Sequence, residues 1–440
     1  MKNKKWMAIL LGGIMAASLA APCSVSAAEK TTLTFWHAMG GTNGEVLQQI
    51  VDDFNASQDE IEVKAEYQGT YDDTITKLKA AMQSDSGLPD VCQMYDVGTK
   101  FMYDSGAVIP VEDKFESTGY DKSSVMEVIS SYYTVDGKQY AMPFNVSTPM
   151  LYYNKDVFEA AGLDPETPPT TYDEVLEDAK KIVDSGAAPV GYSQAIYGWF
   201  FEQQLAGLGV TYGNNDNGRT EAVTAVDFDS NGGGLKVFDM WKKLYDSGCF
   251  EDYGTTTADT QTAFFSGQVG MIIESTAILK NAVDSSPFEV GTGYLPRIEQ
   301  NDEGGVIIGG GSLWLTDTGN EANEDAGWKF IEYITTPDVQ AKWSMGTGYF
   351  AINEKAYETD DMKAYLKENP NFETAINQLK DSPVNCNTAG VLSGVQTEAR
   401  LTFNEIMPQV YDGKLTTQDA VDQLAASVNK AIENYNESIK

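Results

Sequence analysis

The chain has 440 residues, 65 of them acidic and 30 basic, for a net charge of −35. That surplus repels nucleic acid and anionic membranes at long range and argues against either as a partner. A single histidine, His37, rules out His-cluster metal sites and leaves hardly any material for Ser-His-Asp or Cys-His catalysis.

The N-terminus reads as an export signal. Lys2, Lys4 and Lys5 precede an uncharged apolar run from Met7 to Ala21, and Val25-Ser26-Ala27 resembles a cleavage site. The run is shorter than the roughly 20 residues a spanning helix needs. Residues 1–27 are therefore expected to be removed, placing the protein outside the cytoplasm. Cys23 offers a lipid anchor, but Pro22 stands where lipidation signals carry Gly, Ala or Ser, so cleavage without an anchor is favoured. The mature chain is long enough for two domains.

Leu33 and Phe35 alternate in a first strand, and His37 at its end reads as a hydrogen-bonded structural residue. After Gly40-Gly41, Leu47, Ile50, Val51 and Phe54 recur at helical spacing. Ile61 to Tyr67 alternate as a second strand, a helix runs through Ile75, Leu78 and Met82, and Val91 to Met94 form a third strand. This β-α-β-α-β order predicts an α/β fold with a mostly parallel sheet. Asp136-Gly137 marks a hairpin turn, Met150 to Tyr153 a strand, and Asp156 to Ala161 a helix stopped by Gly162. Thr171-Tyr172-Asp173-Glu174 is a capping box opening the next helix. Further helices are expected at 234–245, 261–265, 320–334 and 395–411, with a C-terminal helix carrying Val421, Leu424, Val428 and Ile432.

Local motifs for chemistry are weak. Asp227, Asp229, Asn231 and Gly232 match the front of a calcium loop, but Phe238 occupies the position that needs a bidentate Glu, so a turn is expected. Gly309-Gly310-Gly311-Ser312 lacks the Lys-Ser/Thr ending of a phosphate loop. Cys92, Cys249 and Cys386 are too scattered for a disulfide framework, and their spacing does not choose a pair. Only three arginines occur, Arg219, Arg297 and Arg400, so a planar donor fork is scarce.

Several segments, in order along the chain, resemble the exported glycerol-3-phosphate-binding proteins of ABC importers, within the bilobed sugar-type extracellular solute-binding family. They are Thr34 to Met39, Tyr67 to Tyr71, Tyr95 to Thr99, Pro143 to Pro149, Leu151 to Asp156, Ile307 to Trp314 and Thr347 to Tyr349. The resemblance implies a two-lobed periplasmic-binding-protein fold of type II, with hinge crossings near 143–147, 308–312 and 348–350. One lobe would comprise residues 28–143 and 312–348, the other 147–308 and 350–440. It further implies a monomeric, non-enzymatic protein without cofactor or metal, closing on a small-molecule ligand and delivering it to the membrane subunits of an ABC permease.

Carried over residue by residue, the implied ligand site is Tyr71, Asp96, Ser147, Ser275, Gly310, Tyr349 and Arg400, with Trp199 as an aromatic wall. In that reading Arg400 forks onto phosphate, and Asp96 accepts from glycerol hydroxyls. Two positions depart from the family pattern. Asp96 stands where it carries Glu, and Ile196 where it carries a second tryptophan, both on the alcohol side. The expected ligand is therefore sn-glycerol 3-phosphate or a related glycerophosphodiester. An oligosaccharide is the alternative; an extracytoplasmic hydrolase or a structural surface protein would be the other classes.

Overall fold

The computed structural model describes residues 30–84 and 87–439. The expected signal segment and Cys23 lie outside them. No described helix is long and apolar enough to cross a membrane.

Among the described residues, twelve strands alternate with helices: β1 Thr31–His37, β2 Ile61–Tyr67, β3 Val91–Tyr95, β4 Val108–Ile109, β5 Thr134–Val135, β6 Lys138–Gln139, β7 Met142–Ser147, β8 Pro149–Asn154, β9 Val190–Ser193, β10 Val269–Ser275, β11 Val290–Gly293 and β12 Gly309–Thr316. One sheet has the order β2-β1-β3-β12-β4, with β7 also paired to β12; a second has the order β11-β8-β10-β9. β1 runs parallel to β2 and β3, as the β-α-β-α-β reading requires, whereas β12 returns antiparallel from the far end of the sequence. The short β5–β6 hairpin turns through Asp136 and Gly137, both at positive φ.

Period-2 alternation explains how the second sheet is covered on both faces. Met150 and Tyr152 of β8, with Ile272 of β10, join the core under the first sheet. Leu151, Tyr153, Met271 and Ile273 point the other way, into a core shared with helices Tyr172–Ser185, Gly198–Gly207, Gly233–Asp246, Gln396–Tyr411 and Thr417–Ser438. The apolar stripe of the last helix, Val421, Leu424, Val428 and Ile432, is buried there.

The chain passes between the sheets at Thr148, the residue separating β7 from β8. Its backbone is pinned by Thr276, whose N–H donates to the Thr148 carbonyl at 2.8 Å. The chain returns into β12, and Phe350 N–H donates to the Val146 carbonyl at 2.9 Å, so three hinge segments lie side by side. Residues 351–368, grouped on sequence with the second lobe, pack instead on the first. Met126 N–H donates to the Ile352 carbonyl, Asn353 Nδ2 donates to the Thr335 carbonyl, and helix Asp360–Glu368 lies against helix Pro337–Thr347. The small buried side chains Ala341, Ala351 and Ala356, with Met362, make this contact. Helix Asn371–Asp381 then covers the second sheet at β11.

Candidate functional site

Asp96 opens a single 3-10 turn directly after β3, and that turn continues into helix Thr99–Asp104. Arg400 sits in helix Gln396–Tyr411, on the other lobe. Gly198 lets the neighbouring helix Gly198–Gly207 come close at this point: a Cβ there would stand 2.5 Å from Arg400 Cα. The Gly198 N–H donates to Asn404 Oδ1 at 2.9 Å. The two helices thereby lock the Arg400 side chain toward the space between the lobes.

Two carboxylates engage the Nε–Nη2 edge of the guanidinium. Nε and Nη2 donate to the two oxygens of Glu202, each at 2.7 Å, and Nη2 also donates to Asp96 Oδ2 at 2.8 Å. All three side chains are buried, and Gln396 Nε2 adds a bond to Glu202 Oε1 at 3.0 Å. Burial opposes the Arg400 charge, but Asp96 and Glu202 outweigh it and hold the guanidinium protonated. Glu202 is pushed upward by burial and pulled back by Arg400; since both of its oxygens accept, it serves as the carboxylate.

The first lobe supplies a phenol-rich wall around Asp96. Tyr71 begins helix Tyr71–Met82, stacks on Tyr95 at 5.1 Å, and accepts from Asn145 Nδ2 at 2.7 Å. Tyr349 stacks on Trp343 at 5.7 Å. Burial, followed by the nearby Asp96 charge, pushes the Tyr132 and Tyr133 phenols up; burial does the same for Tyr71 and Tyr349. All four are neutral at physiological pH and able both to donate and to accept.

Gly310 adopts φ +93, and a Cβ there would stand 1.8 Å from the Asn145 carbonyl oxygen. Gly309, the register partner of Ser147, lets Trp199 pack flat on the strand: its Cβ would lie 2.7 Å from Trp199 Cζ2. Trp199 is buried, and its indole Nε1 has no partner among the described residues. Ser275 ends β10; its Oγ receives the Ala277 N–H at 3.2 Å, capping the next turn.

Of the expected residues, Asp96 of the first lobe and Arg400 of the second are in direct contact. Glu202, absent from that set, lies on the Nε–Nη2 edge of the Arg400 side chain that the resemblance turns toward phosphate. The mark it leaves in the sequence is a carboxylate amid Trp199, Phe200, Phe201 and Leu205, in a helix buried from Gly198 to Ala206. Tyr132 and Tyr133 near Asp96, and Asn145 bonded to Tyr71, are neighbours of this cluster outside the expected set, although Asn145 lies inside one of the motifs that carry the resemblance. Across the rim, Tyr95 Oη and Thr397 Oγ1 meet at 2.6 Å, so the cleft is closed. A separate cavity of about 800 Å³, lined in part by Ser130, Asp216, Arg219 and Cys386, includes none of the eight expected residues.

His37 Nδ1 receives the Met39 N–H at 3.3 Å and plays no part in this cluster. Arg219 forks onto the carbonyls of Gly390, Ala389 and Tyr132, and Asn231 Oδ1 receives the Gly233 N–H within a turn. The three described cysteines are free. Among the described residues, no group of three or more His, Cys, Asp or Glu side chains is arranged to hold a metal.

Residues 49–374 match the family model of bacterial extracellular solute-binding proteins. The chain belongs to that family. It is 30% identical over 417 residues to the sn-glycerol-3-phosphate-binding periplasmic protein UgpB of Escherichia coli K12, covering 93% of this chain and 94% of the relative. Among solved structures, UgpB of Mycobacterium tuberculosis with glycerophosphocholine superposes with a TM-score of 0.78 at 20% identity, covering 93% of this chain and 100% of that one. The cyclic α-maltosyl-1,6-maltose binding protein of Arthrobacter globiformis gives 0.76 at 26%, covering 92% and 100%. The fold is the two-lobed binding-protein fold, and the family-level activity is capture of a small solute as the substrate-binding protein of an ABC importer.

Proposed function

We propose that this solute-binding protein captures an organophosphate of glycerol, sn-glycerol 3-phosphate or a glycerophosphodiester, by lobe closure. It works as an exported, monomeric, non-catalytic protein that hands the ligand to an ABC permease. The observation carrying this reading is the direct meeting of Asp96 and Arg400 across the cleft, the two residues to which the resemblance assigns hydroxyl and phosphate binding. In this reading Tyr71, Ser147, Ser275, Gly310 and Tyr349 line the ligand space, and Trp199, whose indole N–H is unpaired among the described residues, supports it as the aromatic wall. Neutral phenols and backbone N–H groups can then receive ligand oxygens without adding charge.

A neutral oligosaccharide is the second reading. It is favoured by the charge balance at Arg400, whose guanidinium is already matched by Glu202 and Asp96. Aromatic rings such as those of Tyr71, Tyr95 and Trp199 stack on sugar faces as well as on alkyl chains.

Calorimetric titration of the purified protein with glycerol 3-phosphate, glycerophosphocholine and maltotriose separates the two. Binding of either phosphate compound at least tenfold tighter than maltotriose is expected. Tight maltotriose binding with no heat from either phosphate compound overturns the organophosphate reading.

A further inference from the structure

The family resemblance expects Arg400 to meet a ligand anion with its planar fork. In this chain one edge of that fork, Nε with Nη2, is taken inside the protein. The Nε–Nη2 edge, the geometry that grips two oxygens of one phosphate, is closed by Glu202. The Nη2 nitrogen is shared with Asp96. Among the described residues, Arg400 is the only cationic side chain ion-paired with either carboxylate.

The buried set thus holds one positive and two negative charges, a net −1. An incoming phosphate monoester dianion would bring it to about −3 beside buried side chains, where like charges repel far more strongly than in solution. If the ligand displaces Asp96 from Nη2, Glu202 still neutralises Arg400, and Asp96 is left as the one unbalanced charge. A monoanionic phosphodiester, above all one carrying its own cation to lie near Asp96, avoids that repulsion. The rings of Tyr71, Tyr132 and Tyr197 lie close by; the Tyr197 ring centre is 6.0 Å from the Arg400 guanidinium carbon.

We propose that Glu202 is a specificity-determining residue that makes Arg400 half of a neutral pair, so that the cleft takes net-neutral or monoanionic phosphodiesters and excludes phosphomonoester dianions. This rests on the organophosphate reading above and narrows it.

Wild type and Glu202→Gln are titrated at pH 7.5 with glycerol 3-phosphate, inorganic phosphate and glycerophosphocholine. Wild type is expected to bind the diester at least tenfold tighter than the monoester. Glu202→Gln is expected to gain tenfold or more for inorganic phosphate and to shift the monoester-to-diester affinity ratio at least tenfold toward the monoester. Glu202→Asp, which keeps the charge, should retain the exclusion. A variant that weakens every ligand equally, or leaves the monoester-to-diester ratio unchanged, overturns the proposal. So does wild type binding both esters within threefold, a result that holds even if Glu202→Gln does not fold. If wild type binds only maltotriose, the organophosphate reading fails separately, and the Glu202 assignment stands or falls on whether Glu202→Gln gains inorganic phosphate.

Discussion

His37 and Glu274, two buried titratable side chains, give the folded state opposing pH responses. Burial lowers the His37 pKa to about 4. Between the unfolded value near 6.5 and that folded value, the unfolded chain binds a proton the folded one refuses, so stability falls as the pH drops through this window. Glu274, buried next to Ser275 and bonded to Gln261 Nε2 at 2.9 Å, is raised by burial to about 7. Here the folded protein keeps a proton that the unfolded chain releases above about 4.5, so stability falls as the pH rises from there to about 7. Glu274→Gln removes the second response. It should gain roughly 2–3 kcal/mol relative to wild type on going from pH 5 to pH 8, as an upper bound from one pK unit per 1.36 kcal/mol. Urea unfolding at both pH values measures this; parallel shifts of wild type and variant would show that Glu274 titrates normally.

At the scale of elements, the hinge strand β12 depends on a backbone conformation only glycine adopts freely. At φ +93, Gly310 also brings its Cα against the Asn145 carbonyl, so Gly310→Ala is strained twice, in dihedral and in space. A loss of about 3 kcal/mol or more is expected by urea unfolding, from a clash that forces β7 and β12 apart. A variant with wild-type stability would mean the hinge can repack. The glycine run is plain in the sequence but its purpose is not, because three glycines carry no strand alternation and yet they begin a strand.

Elements whose signals are local are legible in the sequence. The Thr171–Glu174 capping box closes as expected, with Thr171 Oγ1 receiving the Glu174 N–H at 3.2 Å, and the Asp136-Gly137 turn makes its hairpin. The helix Gly198–Gly207 is illegible because it is buried on every side and shows no apolar period. Its key residue, Glu202, finds its partner 198 positions away, and Asp96 reaches the same guanidinium across 304. No spacing rule connects such residues; the resemblance supplies Asp96 and Arg400, and it does not supply Glu202 because the family reading already treats the phosphate side as complete. The exit of the chain from the first lobe is hidden for a related reason. Residues 351–368 are largely charged and polar, with a few apolar side chains such as Ala351, Ala356 and Met362, and the pairing of Ile352 and Asn353 with Met126 and Thr335 places them on the first lobe.

For the molecule as a whole, affinity depends on how much more stable the closed form becomes when ligand is bound. The rim contact between Tyr95 and Thr397 joins the lobes one helical turn before Arg400, and Asp72 receives the Tyr95 hydroxyl at 2.9 Å, fixing its direction. Thr397 is exposed, so its replacement leaves no buried group unpaired. Thr397→Ala therefore removes one hydrogen bond of the closed state while sparing the fold. A bond of this kind is worth roughly 0.5–1.5 kcal/mol, so affinity should fall about 2- to 10-fold. The loss belongs in the dissociation rate, because the open lobes that meet the ligand have not yet made the contact. Stopped-flow tryptophan fluorescence with the tightest ligand resolves the two rates: dissociation should quicken by that factor while association stays unchanged. Slower association with unaltered dissociation would mean that Tyr95 and Thr397 guide entry into the cleft and do not hold it shut.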